Sequence, residues 1–156
     1  MIPLPEEFEF KAVPFDFNEA YVDLLCLRQT VLRTPLGLTF TMETLKGEAN
    51  QRHMGLYQKD NPTAISCYLI KVEADGGFQM RQVAVHPNFQ GRGLGKLLVA
   101  HFEAYAKQQG ANYCYIHGRT TVIPFYEQLG YTIVGDSFFL PESGLDHYRL
   151  EKNINL

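Results

Sequence analysis

The chain has 156 residues, 20% of them charged and 46% hydrophobic, with a formal net charge of −3. That length fits one domain, residues 1–156, around one core. The slight negative charge gives no basic footprint for nucleic acid, and no run of about eighteen apolar residues offers a membrane span.

Phe8 to Val13 reads as a first strand. Asp16 and Glu19 are spaced as a capping box for a helix whose stripe is Tyr21, Leu24, Leu25, Arg28, Val31 and Leu32. Pro35 ends that helix, Gly37 turns the chain, and Met42 to Gly47 forms a second helical piece. Arg52 to Gln58 and Ala64 to Val72 are strands joined by Lys59-Asp60-Asn61-Pro62. Asp75-Gly76-Gly77 turns into a strand from Phe78 to His86. A helix from Leu94 to Gln109 carries the stripe Leu94, Leu97, Leu98, Phe102 and Tyr105, with Gly110 at its end. Asn112 to His117 is a strand. A helix from about Thr121 follows, with Thr120 or Thr121 as cap, Pro124 in its first turn and Gly130 beyond its end. Tyr131 to Val134 and His147 to Leu150 are two last strands around a loop containing Pro141 and Gly144. The pattern is a mixed α/β domain with a mostly antiparallel sheet, and one parallel step where the long helix crosses over.

The start, Met1 to Glu7, lacks the basic and apolar regions of a signal peptide. Cys26, Cys67 and Cys114 are far apart, so each reads as a free, packed thiol and the chain as cytoplasmic. No histidine and carboxylate grouping has metal-site spacing, so no metal is expected.

Gln90-Gly91-Arg92-Gly93-Leu94-Gly95-Lys96 lies between the Phe78–His86 strand and the long helix. A glycine turn opening a helix after a strand leaves amide N–H groups free where the helix dipole is positive, a place for an anion. A P-loop is excluded, because Gly95-Lys96 is followed by Leu97 and the position five before Gly95 is Gln90. A dinucleotide fingerprint fails at its sixth position, Lys96. The remaining pattern, Gln/Arg-x-x-Gly-x-Gly on Gln90, Gly93 and Gly95, resembles the acetyl-CoA pyrophosphate loop of the GNAT superfamily of N-acetyltransferases. Downstream, Phe125-Tyr126-Glu127-Gln128-Leu129-Gly130-Tyr131 is similar to the Phe-Tyr-x-x-x-Gly-Phe/Tyr segment ending that coenzyme domain. The resemblance covers roughly Gln58 to Leu150.

The resemblance implies a GNAT fold: a twisted sheet of six to seven strands, splayed at its middle, with helices on both faces. It implies an enzyme that moves acetyl from acetyl-CoA to a primary amine of a small molecule or peptide by direct attack in a ternary complex. A non-catalytic acyl-CoA-binding module is the alternative, and a homodimer is compatible with the family. By position, Val83, Ala84 and Val85 would pair with the pantetheine arm, and Gln90 through Lys96, including Gly91, Arg92, Gly93, Leu94 and Gly95, would hold the diphosphate. Tyr126 would protonate the departing thiolate; a phenol near pKa ~10 can donate at neutral pH. Arg119 stands where many relatives carry a CoA-binding Asn, which leaves that contact open.

Some relatives place a general base at the position of Gln79, which cannot serve as one. His147, in Gly144-Leu145-Asp146-His147, resembles a Gly-x-x-His segment beside the acceptor cleft of some members, and an imidazole suits the task. A structural role at a strand entry is the other reading. His117 and Glu43 are further candidates near the acceptor. Arg28 and Arg33, in a run resembling Arg…Val-Leu-Arg-x-Pro-Leu-Gly of a bacterial subset, would hold an acceptor carboxylate or phosphate, or form surface ion pairs.

Overall fold

The computed structural model describes residues 3–154; Met1 and Ile2, part of the segment read against a signal peptide, lie outside them. Strand β1 (Phe8–Val13) is followed by α1 (Glu19–Arg28), α2 (Met42–Lys46), β2 (Arg52–Gln58), β3 (Ala64–Val72) and β4 (Gly77–Val85). Then come α3 (Leu94–Gln108), β5 (Tyr113–Gly118), α4 (Ile123–Gln128), β6 (Thr132–Leu140) and β7 (Leu145–Asn153). The strands form one sheet in the order β1-β2-β3-β4-β5-β7-β6, antiparallel except for the β4–β5 pair.

Alternation along the strands gives the sheet two apolar faces. Met54, Leu56, Ile70, Met80, Ile116 and Leu150 pack with Leu97, Leu98 and Phe102 of α3. On the other face Tyr57, Cys67 and Ala84 pack with Tyr21, Leu24 and Leu27 of α1. Each such buried aliphatic side chain contributes about 1.5–3 kcal/mol.

Three local expectations change. The cap of α1 is Asn18, whose side chain accepts from Tyr21 N at 3.2 Å; Asp16 instead accepts from Asn18 N at 3.1 Å and so steadies the cap. The α1 helix does not run on regularly to Pro35. It widens into a π turn, Gln29–Arg33, and then a 3₁₀ turn, Thr34–Leu36, because Pro35 brings no N–H and disfavours helix at the residue before it. Neither Thr120 nor Thr121 caps α4; a 3₁₀ turn, Thr120–Val122, leads into it without a side-chain cap.

The last two strands are also longer than expected. Gly135, Asp136 and Ser137 read as strand-ending residues, yet the register shift between Val134 and Phe138 absorbs them as a bulge and the pairing resumes. The loop with Pro141 and Gly144 is thereby reduced to a tight connection between Leu140 and Leu145. Cys67 and Cys114 are buried as expected, whereas Cys26 is exposed on α1.

Candidate active site

The parallel pairing of β4 with β5 runs only from Gly77↔Tyr113 to Gln79↔Tyr115. Beyond it β4 bulges against β3, and Gln82 takes a φ of 54°, a left-handed backbone uncommon for a residue with a side chain. The two strands part, leaving the C-terminal half of β4 with no strand on its β5 side among the described residues. Between them opens a cleft of about 830 Å³, walled by the π turn, α2, the end of β5, α4 and the β6–β7 hairpin.

Tyr126 enters this cleft from α4, set by Pro124 in the first turn of that helix. Its ring is buried among Phe125 and Tyr131, at 5.0 and 5.6 Å between centroids. Burial pushes its pKa up to about 12, so the phenol stays protonated at neutral pH. No protein group among the described residues hydrogen-bonds its hydroxyl.

His147, at the start of β7, lines the same cleft and is buried. Its Nδ1 is 3.0 Å from Leu145 O, and a carbonyl only accepts. Nδ1 therefore carries the proton in the neutral ring, and Nε2 keeps its lone pair. His117 lines the same cleft, packed edge-on against Phe138 at 4.8 Å. Burial, then the charges of Arg149, His147, Arg81 and Lys71, hold its pKa down to about 4.

Arg33, Glu43 and Arg119 also line the cleft. Arg33 donates to Glu142 O and stacks on Phe40 at 4.5 Å; burial lowers its pKa from the usual range. Arg28 sits inside the wall rather than on it. It is 1% exposed, and its Nη2 donates to both carboxylate oxygens of Glu48 at 2.8 and 2.9 Å and to Gln82 Oε1 at 3.1 Å. A pocket of about 160 Å³ adjoins the cleft and shares Arg33, Thr44 and Glu142 with it.

The glycine turn lies beyond the cleft's far end. Gly93 is the residue before α3, with φ 77°, and no side chain caps the helix. A Cβ at Gly91 or Gly93 would meet nothing within 4 Å, so these glycines serve backbone conformation and access to the amides, not internal packing. The first N–H groups of α3 thus lie open at a positive helix end, as a diphosphate requires. Gln90 Nε2 donates to Val85 O at 3.0 Å and ties the turn to β4. Arg92 is exposed and stacks on Phe89 at 4.9 Å, while Lys96 is exposed without an ion pair among the described residues. Val83 lines the cleft; Ala84 is buried toward α1, and Leu94 faces the core of α3.

Two wall residues escaped the sequence reading. Arg81 donates to Gln51 Oε1 at 2.7 Å and lies 3.7 Å from Glu48. Glu48 is 3% exposed and anchors Arg28. Both act through partners distant in sequence, and no local spacing signals such pairs.

A family model described as the acetyltransferase (GNAT) family matches residues 19–131. The uncharacterized N-acetyltransferase YjcF of Bacillus subtilis is 23% identical over 143 residues, which cover 92% of this chain and 99% of that protein. An acyl-CoA N-acyltransferase from Pseudomonas aeruginosa has a similar structure, with TM-score 0.77 and 14% identity over 93% of this chain and 99% of that one. A GNAT family acetyltransferase from Elizabethkingia anophelis with acetyl-CoA bound gives TM-score 0.71 and 15% identity over 96% and 100% of the two chains.

Proposed function

The chain belongs to the GNAT family of acetyltransferases, and from that premise we propose that it moves acetyl from acetyl-CoA to a primary amine by direct attack in a ternary complex. The observation that carries this reading is one cleft holding both Tyr126, with an unengaged hydroxyl, and His147, with a bare Nε2. The open amides at the start of α3 would take the diphosphate, with Arg92 adding charge. The backbone of the unpaired half of β4, around Val83, would hold the pantetheine arm as an added strand. The relative with acetyl-CoA bound supports this donor.

For an amine of pKa about 10.4, the neutral form costs roughly 4–5 kcal/mol at pH 7. His147 takes that proton. The nitrogen lone pair then forms the C–N bond as the C–S bond breaks, and the sulfur takes the electron pair. Tyr126 donates to that sulfur as its charge develops. With a pKa of about 12 the phenol keeps its proton at neutral pH, so it is always present as a hydrogen-bond donor to the developing thiolate. A cysteine acetyl-enzyme is disfavoured, because burial pushes Cys67 and Cys114 up to about 12 and leaves almost no thiolate. Arg33, Glu43 and His117 would border the acceptor.

Thiol release over a panel of primary amines tests the proposal. Release that depends on the amine is expected. Tight acetyl-CoA binding with no release from any amine would overturn it in favour of a coenzyme-binding module.

A further inference from the structure

Four side chains stand in series where the β4–β5 pairing ends. Tyr115 Oη lies 2.5 Å from Glu73 Oε1 and 3.1 Å from Gln79 Oε1, and Gln79 Nε2 lies 3.2 Å from His117 Nδ1. Gln79 and Tyr115 are register partners on β4 and β5, at 4% and 3% exposure. The middle of the series is therefore shut off from water and must satisfy its own hydrogen bonds.

Proton counting sets its direction. A phenol has one proton, whereas a carboxylate oxygen and an amide oxygen only accept. Glu73 Oε1 lies 3.4 Å from Lys71 Nζ, as an ionised carboxylate does, and so receives the Tyr115 proton. Only an N–H can then satisfy the second contact at Tyr115 Oη. A half-turn of the Gln79 amide exchanges its oxygen and nitrogen without changing its outline. Nε2–H then donates to Tyr115, and the amide oxygen faces His117 Nδ1, which must carry a proton. With the amide the other way, Tyr115 would need two protons.

We infer that Glu73, Tyr115 and Gln79 form a relay that fixes the tautomer of His117, so that its Nε2 offers a lone pair to the acceptor amine. The inference rests on the acetyltransfer reading and adds to it a second imidazole that touches the amine. His117 is opposite Arg149 in the β5–β7 register, so His147, two residues from Arg149, shares its face of the sheet. Burial, helped by the charges of Arg149 from β7, Arg81 from β4 and Lys71 from β3, keeps the ring neutral. His147 takes the departing proton, and His117 holds a second N–H and aims the nitrogen. A primary amine has enough N–H groups for both; Glu73, Tyr115 and Gln79 are positioning residues.

The tautomer can be read by nitrogen-15 NMR of the full chain at neutral pH without coenzyme or amine, with His117→Asn to assign the signals. A protonated Nδ1 and bare Nε2 are expected in the wild type. Gln79→Leu should swap the tautomer to the Nε2–H form that free imidazole prefers, and lower kcat/KM about tenfold, the worth of one oriented hydrogen bond. Tyr115→Phe, a milder change, should give mixed tautomers. An Nε2–H ring in the wild type, or a protonated Nδ1 unchanged in both Gln79→Leu and Tyr115→Phe, would overturn the relay. Absence of turnover with the expected tautomer would instead sink the acetyltransfer reading alone.

Discussion

The mouth of α3 and the cleft would recognise the proposed coenzyme and acceptor by different means. At the mouth of α3 the protein offers backbone: an uncapped helix start, two glycines at φ 77° and open space above them. At the acceptor end it offers side chains drawn from the π turn, α2, β4, β5 and the β6–β7 hairpin, braced by a buried ion pair. Backbone recognition needs only local conformation, so a short run of residues encodes it. Side-chain recognition needs remote segments held in register, so its stability and its specificity rest on the same contacts.

That contrast breaks most visibly at Arg28. Arg28→Met should cost about 3 kcal/mol of stability by leaving the buried Glu48 with only the longer Arg81 contact, and Glu48→Leu added to it should recover much of the loss. Chemical denaturation of the single and double variants measures this; a single variant as stable as the wild type would show that the brace is not needed. Acetyl-CoA affinity should barely change.

Next in size is the chemistry between the two ends. Tyr126→Phe should slow thiol release about a hundredfold at saturating amine, with acetyl-CoA affinity kept. A rate equal to the wild type would remove the acid role.

Acid should destabilise the fold through its buried histidines, of which His117 lies on the cleft wall. Burial lowers the pKa of His53, His101 and His117 from 6.5, the last to about 4. Unfolded histidines bind protons below about pH 6.5 that the folded chain refuses, so stability present above that pH is lost as pH falls toward 4. Melting temperature should drop across that window, and His117→Asn should flatten the slope. The smallest effect belongs to the coenzyme end: Arg92→Ala should weaken acetyl-CoA about two- to fivefold and soften its salt dependence, since the amides carry most of the contact.

The strands β1, β2 and β3 were legible to the residue, because alternation and turn residues bound them on both sides. The glycine turn and the Phe125–Tyr131 segment were legible for the same local reason. The bulges at Gln82 and after Val134, which part the sheet and lengthen β6, were not. Bulges form where a partner strand demands them, and a single strand's pattern does not announce that. The Arg28–Glu48 pair was hidden too: helical spacing placed Arg28 on a stripe with apolar residues, and only the fold shows the carboxylate that makes its burial tolerable.

Titration calorimetry of acetyl-CoA into the wild type and Gly93→Val tests the central claim most directly. Valine at φ 77° strains the turn and covers the open amides. The account predicts clear binding heat for the wild type and at least about tenfold weaker affinity in a variant that keeps the wild-type circular dichroism. Equal affinity in the two proteins would contradict it.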